Sequence, residues 1–231
     1  LDISLVKTGC IGFCKEEPIV SVSIPGKALV LLRKVHQEDA ERIISLALHG
    51  DVPSDLVLCR ISDWDHITGN LVYGNEFDAI PEYADIPFFA HQKKVILRDS
   101  GLINPEDIDE YIGIGGYFAA YKALTSMEPD AIIDEVKRSG LRGRGGAGFP
   151  AGLKWEITKK APGEEKYIVC NADEGDPGAY MNRNEMESDP HMLLEGMLIG
   201  AFAMGVHEGL IYIRAEYPLA IERLMLALEQ T

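Results

Sequence analysis

Ser139-Gly-Leu-Arg-Gly-Arg-Gly-Gly-Ala-Gly-Phe-Pro-Ala-Gly-Leu-Lys-Trp155 is the stretch on which the reading of the chain turns. Within it, Gly143-Arg-Gly145-Gly-Ala-Gly148 satisfies the GxGxxG spacing of dinucleotide-binding loops. That fingerprint leaves a strand and opens a helix. Here a helical pattern, about Asp130 to Arg138, precedes the glycines, and Phe149-Pro150 follows them. The Gly-Lys-Ser/Thr ending of a triphosphate loop is also absent. The physical content of the stretch survives the failed motif. Closely spaced glycines let backbone amides approach an anion without side-chain interference, and Arg142, Arg144 and Lys154 add cations. Two readings stay open at this point, a phosphate site and a tight structural turn.

Downstream, Tyr167 to Cys170 is a short apolar strand that runs into Asn171-Ala-Asp173-Glu174-Gly-Asp176-Pro-Gly178. Three carboxylates and an amide at a strand end suit a solvated loop, a divalent-cation site, or a polar wall around a heterocycle and its hydroxyls. The spacing of a calcium loop is absent. Pro190 to Val206 reads as a buried helix, Leu210 to Ile213 as a second strand and Tyr217 to Gln230 as a closing helix. Helix, loop, strand, loop, helix, strand, helix is an α/β arrangement. Ligands in such layers bind beyond the C-terminal ends of the strands, where Asn171 to Tyr180 and Arg214 to Tyr217 are expected.

Upstream, Ile3 to Lys7 is expected as a strand, followed by the turn Thr8 to Cys14. Ile19 to Ile24 and Ala28 to Leu32 form a strand pair around Pro25-Gly26, and His36 to His49 a helix closed by Gly50. Asp51 to Phe89, with Pro53, Pro81 and Pro87, reads as a linker or wrapping segment. Val95 to Arg98 is strand-like. Asn104 is expected to cap a helix with Pro105 at its first position, and Tyr117 to Leu124 to form another.

The 231 residues carry 22 Lys and Arg against 37 Asp and Glu, a formal charge of -15, which argues against a general nucleic-acid binder. The most apolar run, Met197 to Val206, is too short to span a bilayer, so no direct membrane insertion is expected. Four cysteines make no disulfide scaffold, and the close pair Cys10 and Cys14 points to metal ligation or redox chemistry in a reducing compartment, by default the cytoplasm. The absence of an initiator Met and of a cap signal after Gln230 leads us to expect an interrupted piece of a longer subunit.

Three motifs in order, Ser139 to Trp155, Asn171 to Gly178 and Asp189-Pro-His-Met-Leu-Leu-Glu-Gly196, closely resemble the flavoprotein subunit of the NADH:quinone oxidoreductase family. Ile213-Arg-Ala215-Glu-Tyr-Pro218 is more similar to relatives in soluble NAD(P)-linked hydrogenases and formate dehydrogenases. The resemblance implies the C-terminal half of a thioredoxin-like ferredoxin domain (residues 1–52), a linker (53–94) and the first part of a Rossmann-like FMN-binding α/β domain (95–231). It implies an NAD(P)H dehydrogenase module in which FMN takes a hydride and passes electrons singly to iron–sulfur subunits of a hydrogenase, formate dehydrogenase or NADH dehydrogenase complex.

By the same resemblance, Gly143, Arg144, Gly145 and Gly146 face the FMN phosphate and nucleotide, with Lys154 nearby. Asn171, Asp173 and Glu174 hydrogen-bond FMN, Phe149 packs against NADH, Asp176 lies near the nicotinamide and Glu216 faces the ligand cavity. No general acid or base is implied. Cys10 and Cys14 are two of the four ligands of a 2Fe-2S cluster, the others lying upstream of Leu1. A 4Fe-4S region and a small ubiquitin-like domain are expected beyond Thr231. Asn182 and Tyr180 depart from the family's usual Asp and Phe. Cys59 and Cys170 are expected to be structural, Met192, Met197 and Met204 to pack in the core, and His191 to hydrogen-bond at a helix start. Two other classes remain in view: a non-catalytic assembly protein that keeps the fold, and a metal-dependent hydrolase using Asp173, Glu174 and Asp176.

Overall fold

The computed structural model describes residues 3–66, 69–163 and 165–231, without the side chains of His66, Gly69 and Asn70. The chain divides into two compact units, residues 1–104 and 105–231.

In the first unit, β1 (Val20–Val22), β2 (Leu29–Leu32), α1 (Ala40–Leu48) and β3 (Val57–Ile61) follow in order. The strands form an antiparallel sheet ordered β1-β2-β3. All four residues of β2 are buried, because the central strand has a layer on each face. Alternation then sorts its side chains. Val30 and Leu32 join Val22, Ile43 of α1 and Val52. Leu29 and Leu31 join Leu58, Cys59 and Ile61, with Phe13, Trp64, Tyr73, Tyr83 and Ile86 against them. The segment 53–94 therefore supplies β3, the hairpin β4 (Asp63–His66) with β5 (Gly69–Val72), and much of the cover for this second face. Residues 95–104 pack in this unit as well, and Val95 to Arg98 forms turns instead of the expected strand. Ile3 to Lys7 is irregular instead of the expected strand.

The second unit is a mixed helix and sheet layer. α2 (Ile108–Gly113) begins later than the Asn104 cap predicts, because the Asp107 carboxylate accepts from the Asp109 amide at 3.0 Å and takes the cap itself. α3 (Phe118–Ser126) and α4 (Pro129–Ser139) follow; Pro129 opens α4 and Gly140, at φ +70°, closes it. Then come α5 (Ala151–Lys160), β6 (Tyr167–Asn171), α6 (Met181–Ser188), α7 (Pro190–Met204), β7 (Glu208–Tyr212) and α8 (Pro218–Gln230). β6 and β7 pair in parallel, from Tyr167 opposite Glu208 to Asn171 opposite Tyr212. Tyr167, Val169, Leu210 and Tyr212 are exposed on one face, while Ile168 and Ile211 turn toward α7 and α8.

α7 organises this unit. The Asp189 side chain caps it at the Met192 amide, 3.0 Å away. Buried Glu195 accepts from Tyr111 Oη at 2.5 Å, the Tyr117 amide at 3.0 Å and the Ala120 amide at 2.9 Å, and so fixes the start of α3. Buried His191 does hydrogen-bond at a helix start, with Tyr117 Oη at 2.9 Å and Gln230 Oε1 at 3.1 Å. No helix among the described residues is long and apolar enough to cross a membrane.

Candidate functional site

The glycine loop is a closed turn with an open tip. The Gly143 amide donates to the Phe149 carbonyl at 2.8 Å, and the Ala151 amide to the Leu141 carbonyl at 2.8 Å. Arg142 Nε donates to the Gly148 carbonyl at 2.5 Å, and Arg144 Nη1 to the Arg142 carbonyl. Two of the three cations expected near an anion thus also brace the loop. Gly146 (φ +98°) and Gly148 (φ +60°) occupy backbone conformations that disfavour a side chain. At Gly145 and Gly146 an added Cβ would meet nothing within 4 Å, so the tip is a cradle with free space beside its main chain.

The sequence pattern placed Phe149-Pro150 after this loop and no helix. In the structure the loop opens directly onto α5, with Pro150 as its first cap position. The helix was hidden because Ala151-Gly-Leu-Lys-Trp-Glu-Ile-Thr-Lys-Lys160 carries only a weak apolar stripe. Its placement depends on Gly152, where a Cβ would lie 2.6 Å from the Lys137 main-chain nitrogen of α4. Trp155 of α5 and Ile168 of β6 both lie against Gly200 of α7, 3.3 and 3.0 Å from where its Cβ would be. In such a layer ligands bind beyond the C-terminal ends of the strands, where the loop after β6 lies. Lys154, one turn into α5, is exposed, as is Phe149 at 46%.

At the C-terminal end of β6, Asn171 Oδ1 accepts from the Asp173 amide at 3.1 Å and starts the polar loop. Glu174 turns inward and is buried; its two carboxylate oxygens accept from the Asn182 amide at 3.0 Å and the Arg183 amide at 3.2 Å, capping α6. Asn182, a departure from the expected Asp, also donates from Nδ2 to the Asp173 carbonyl at 3.5 Å. Asp173 and Asp176 remain exposed. The three carboxylates of this loop do not converge, and among the described residues no group of three or more His, Cys, Asp or Glu side chains is placed to hold a metal ion.

Arg214, at the end of β7, joins the two strand-end loops. Its Nη1 donates to the Glu174 carbonyl at 2.7 Å and its Nη2 to Glu216 Oε1 at 2.6 Å. The guanidinium holds the Glu216 carboxyl below the usual range, so Glu216 stays an acceptor at neutral pH. Sequence reasoning named this turn but missed Arg214 as its organiser; a cation directly at a strand end, two residues before an acid, was the available signal.

An open glycine cradle, nearby cations and a strand-end wall of amide and carboxylate acceptors fit a phosphate-bearing heterocycle such as FMN. A cavity of about 870 Å³ lies elsewhere. It is apolar, lined by Leu124, Ile168, Phe202, Ile211, Leu224 and Leu228, and contains none of these polar groups.

Residues 136–231 match the Nuo51 FMN-binding domain. The match covers under half of the chain. It starts within α4 and takes in the glycine loop, both strands and the Arg214 turn. Over 138 residues the chain is 54% identical to the NADP-reducing hydrogenase subunit HndC of Solidesulfovibrio fructosivorans, covering 60% of this chain and 28% of that protein. Over 122 residues it is 50% identical to an NADH-quinone oxidoreductase subunit of Escherichia coli (strain K12), covering 52% of this chain and 27% of that protein. The chain thus spans under a third of the length of these curated relatives. A crystal structure of an air-oxidized NAD+-reducing [NiFe]-hydrogenase aligns with 90% of this chain and 31% of its own, at 24% identity and a TM-score of 0.49.

The first unit holds the remaining candidates. Cys10 Sγ accepts from the Gly12 amide at 3.3 Å and donates to Glu17 Oε1 at 3.3 Å; burial pushes this thiol up. Cys14 is exposed. Two thiols are half of a four-ligand set, so the described residues do not by themselves fit a 2Fe-2S cluster. Cys59 is buried, with its thiol pushed up to about 12 by burial, and is structural.

Proposed function

We propose that this chain is part of an NAD(P)H dehydrogenase flavoprotein that works within a multisubunit electron-transfer complex. When bound, FMN would accept hydride from the nicotinamide and release electrons one at a time to iron–sulfur clusters. The observation that carries the reading is the match of residues 136–231 to the Nuo51 FMN-binding domain, in the segment that holds the open glycine cradle.

The protein's own part is binding and orientation. Gly143, Arg144, Gly145 and Gly146 would hold the phosphate through their amides, with Lys154 adding charge. Asn171 and Asp173 would hydrogen-bond the flavin. Glu174, whose oxygens already cap α6, would keep the loop rigid and have only its remaining lone pairs for the cofactor. The exposed Phe149 ring would pack on the dinucleotide, with Asp176 and Glu216 toward the nicotinamide. No residue need act as a general acid or base, because hydride moves directly between the two cofactors.

Residues 1–52 would be the closing half of a thioredoxin-like ferredoxin domain, with Cys10 and Cys14 supplying half of a 2Fe-2S ligand set, and the FMN domain would follow the first unit. Ala215 and that N-terminal unit favour a soluble hydrogenase or formate dehydrogenase over the respiratory complex.

The test is anaerobic addition of NADH to the full-length subunit, purified with its partners. Flavin absorbance at about 450 nm that bleaches with NADH supports the reading. Absorbance with no flavin band in correctly folded protein refutes it.

A further inference from the structure

Arg214 is the one side chain seen to hold both strand-end loops at once, among the described residues. Its two terminal nitrogens diverge, one to the Glu174 carbonyl at 2.7 Å and one to the Glu216 carboxylate at 2.6 Å. Glu174 is itself held from the other side, its carboxylate oxygens accepting the first amides of α6. The result is a continuous link from the turn after β7, through the main chain of the β6 loop, to the N-terminus of α6. Of the groups assigned to the cofactor from these loops, Asp173 directly precedes the held Glu174, Asp176 follows it by two residues, and Glu216 is one of the two ends.

We propose that Arg214 is a positioning residue for the flavin site: it fixes the β6 loop and the Glu216 carboxylate relative to each other, before the cofactor arrives. This rests on the FMN reading given above. The chemistry needs arginine in particular. A planar guanidinium can send two N–H groups in fixed, divergent directions, whereas a lysine ammonium is a single point charge that would satisfy one partner at the other's expense. The Arg214 side chain need not touch FMN. It acts through Glu216 and the loop main chain, so its loss should alter how the flavin is held more than whether the domain folds.

The experiment uses the full-length subunit in its native complex, deflavinated and titrated with FMN while flavin fluorescence is followed. The variants are Arg214→Lys, Glu216→Gln and the double substitution. Arg214→Lys is expected to raise the FMN dissociation constant on the order of tenfold, the effect of losing one charge-assisted hydrogen bond. At saturating FMN its visible circular dichroism should differ from wild type, and amide exchange should quicken at residues 173–176. Glu216→Gln should give a smaller rise. The double variant should lose less affinity than the product of the two single effects, because both substitutions remove the same link.

Wild-type affinity, an unchanged flavin spectrum and unchanged exchange in Arg214→Lys would overturn the proposal while leaving the FMN reading intact. Strict additivity would overturn it too. A wild-type complex that binds no FMN would overturn both. If Arg214→Lys does not fold, Glu216→Gln decides: wild-type affinity and spectrum in that variant reject the coupling.

Discussion

Tyr111 Oη donates to Glu195 Oε2 at 2.5 Å, joining the buried ring of α2 to the middle of α7. The same carboxylate holds the Tyr117 and Ala120 amides. Burial, and then this bond, push the Tyr111 hydroxyl far above its ordinary value, so it remains a donor at any physiological pH. Glu195→Ala would strand three donors, at about 1–3 kcal/mol for each one left buried and unpaired. Tyr111→Phe removes one donor and leaves the carboxylate two amides. Urea unfolding of the full-length subunit should show a much lower midpoint for Glu195→Ala than for Tyr111→Phe. Equal losses would mean that the amides at the start of α3 find other partners.

Gly152 lets α5 lie directly on α4. A Cβ there would stand 2.6 Å from the Lys137 nitrogen and 3.0 Å from its Cα, both main-chain atoms that cannot swing aside. Gly152→Ala should destabilise the second unit by about 1–3 kcal/mol. It should also weaken FMN binding, because α5 carries Lys154 and begins at the glycine loop. The check is thermal unfolding alongside FMN titration. Wild-type values in both would show that the helices separate freely.

Gly146 has space around it, so its constraint is conformational instead of steric. At φ +98°, alanine is strained even in an open site. Gly146→Ala should lower the unfolding midpoint by the strain of alanine at that φ, about 1 kcal/mol, and raise the FMN dissociation constant several-fold, because the amides at the tip must reorient. Gly163, also at positive φ with nothing nearby but outside the candidate site, is the control, and its alanine variant should bind FMN normally.

His191 gives a pH dependence. Gln230 Nε2 donates to the Glu106 carbonyl, which leaves Oε1 as the atom facing His191. Nε2 of His191 therefore carries the proton, and Nδ1 accepts from Tyr117 Oη. Burial lowers the imidazole below its unfolded value of about 6.5. With the folded value depressed, the unfolded chain binds more protons, so stability is full above about 6.5 and falls as pH drops toward the folded value. Denaturant midpoints between pH 7.5 and pH 5 (about the span of a histidine titration) should fall less steeply for His191→Gln than for wild type. Identical slopes would exclude His191 as a source of acid sensitivity.

Strongly patterned parts of the second unit were legible in the sequence. β6, β7, α7 and α8 are short apolar strands and proline-started helices whose residues leave little choice. α5 and α6 were not, since Ala151 to Lys160 is weakly amphipathic and Met181 to Ser188 is polar. Their helicity comes from packing at Gly152 and from the Glu174 cap, both contacts between residues distant in sequence. The Asn104 cap was outcompeted by Asp107, three residues on, by an ordinary local hydrogen bond. Asp51 to Phe89 reads as a linker or wrapping segment because its prolines break periodicity, and its aromatic residues cover one face of the first sheet, which no local pattern contains. At the candidate site, residue types could be listed in advance. That Glu174 turns inward while Asp173 and Asp176 turn outward, and that Arg214 ties the loops, are tertiary facts no spacing contains.

The most direct test of the central claim is to release and identify any flavin in the full-length subunit, purified with its complex, by acid extraction and chromatography. FMN is expected in stoichiometric amount with the subunit, lost in step with FMN affinity in Gly146→Ala. FAD in its place, or a folded complex with no flavin, would contradict the claim.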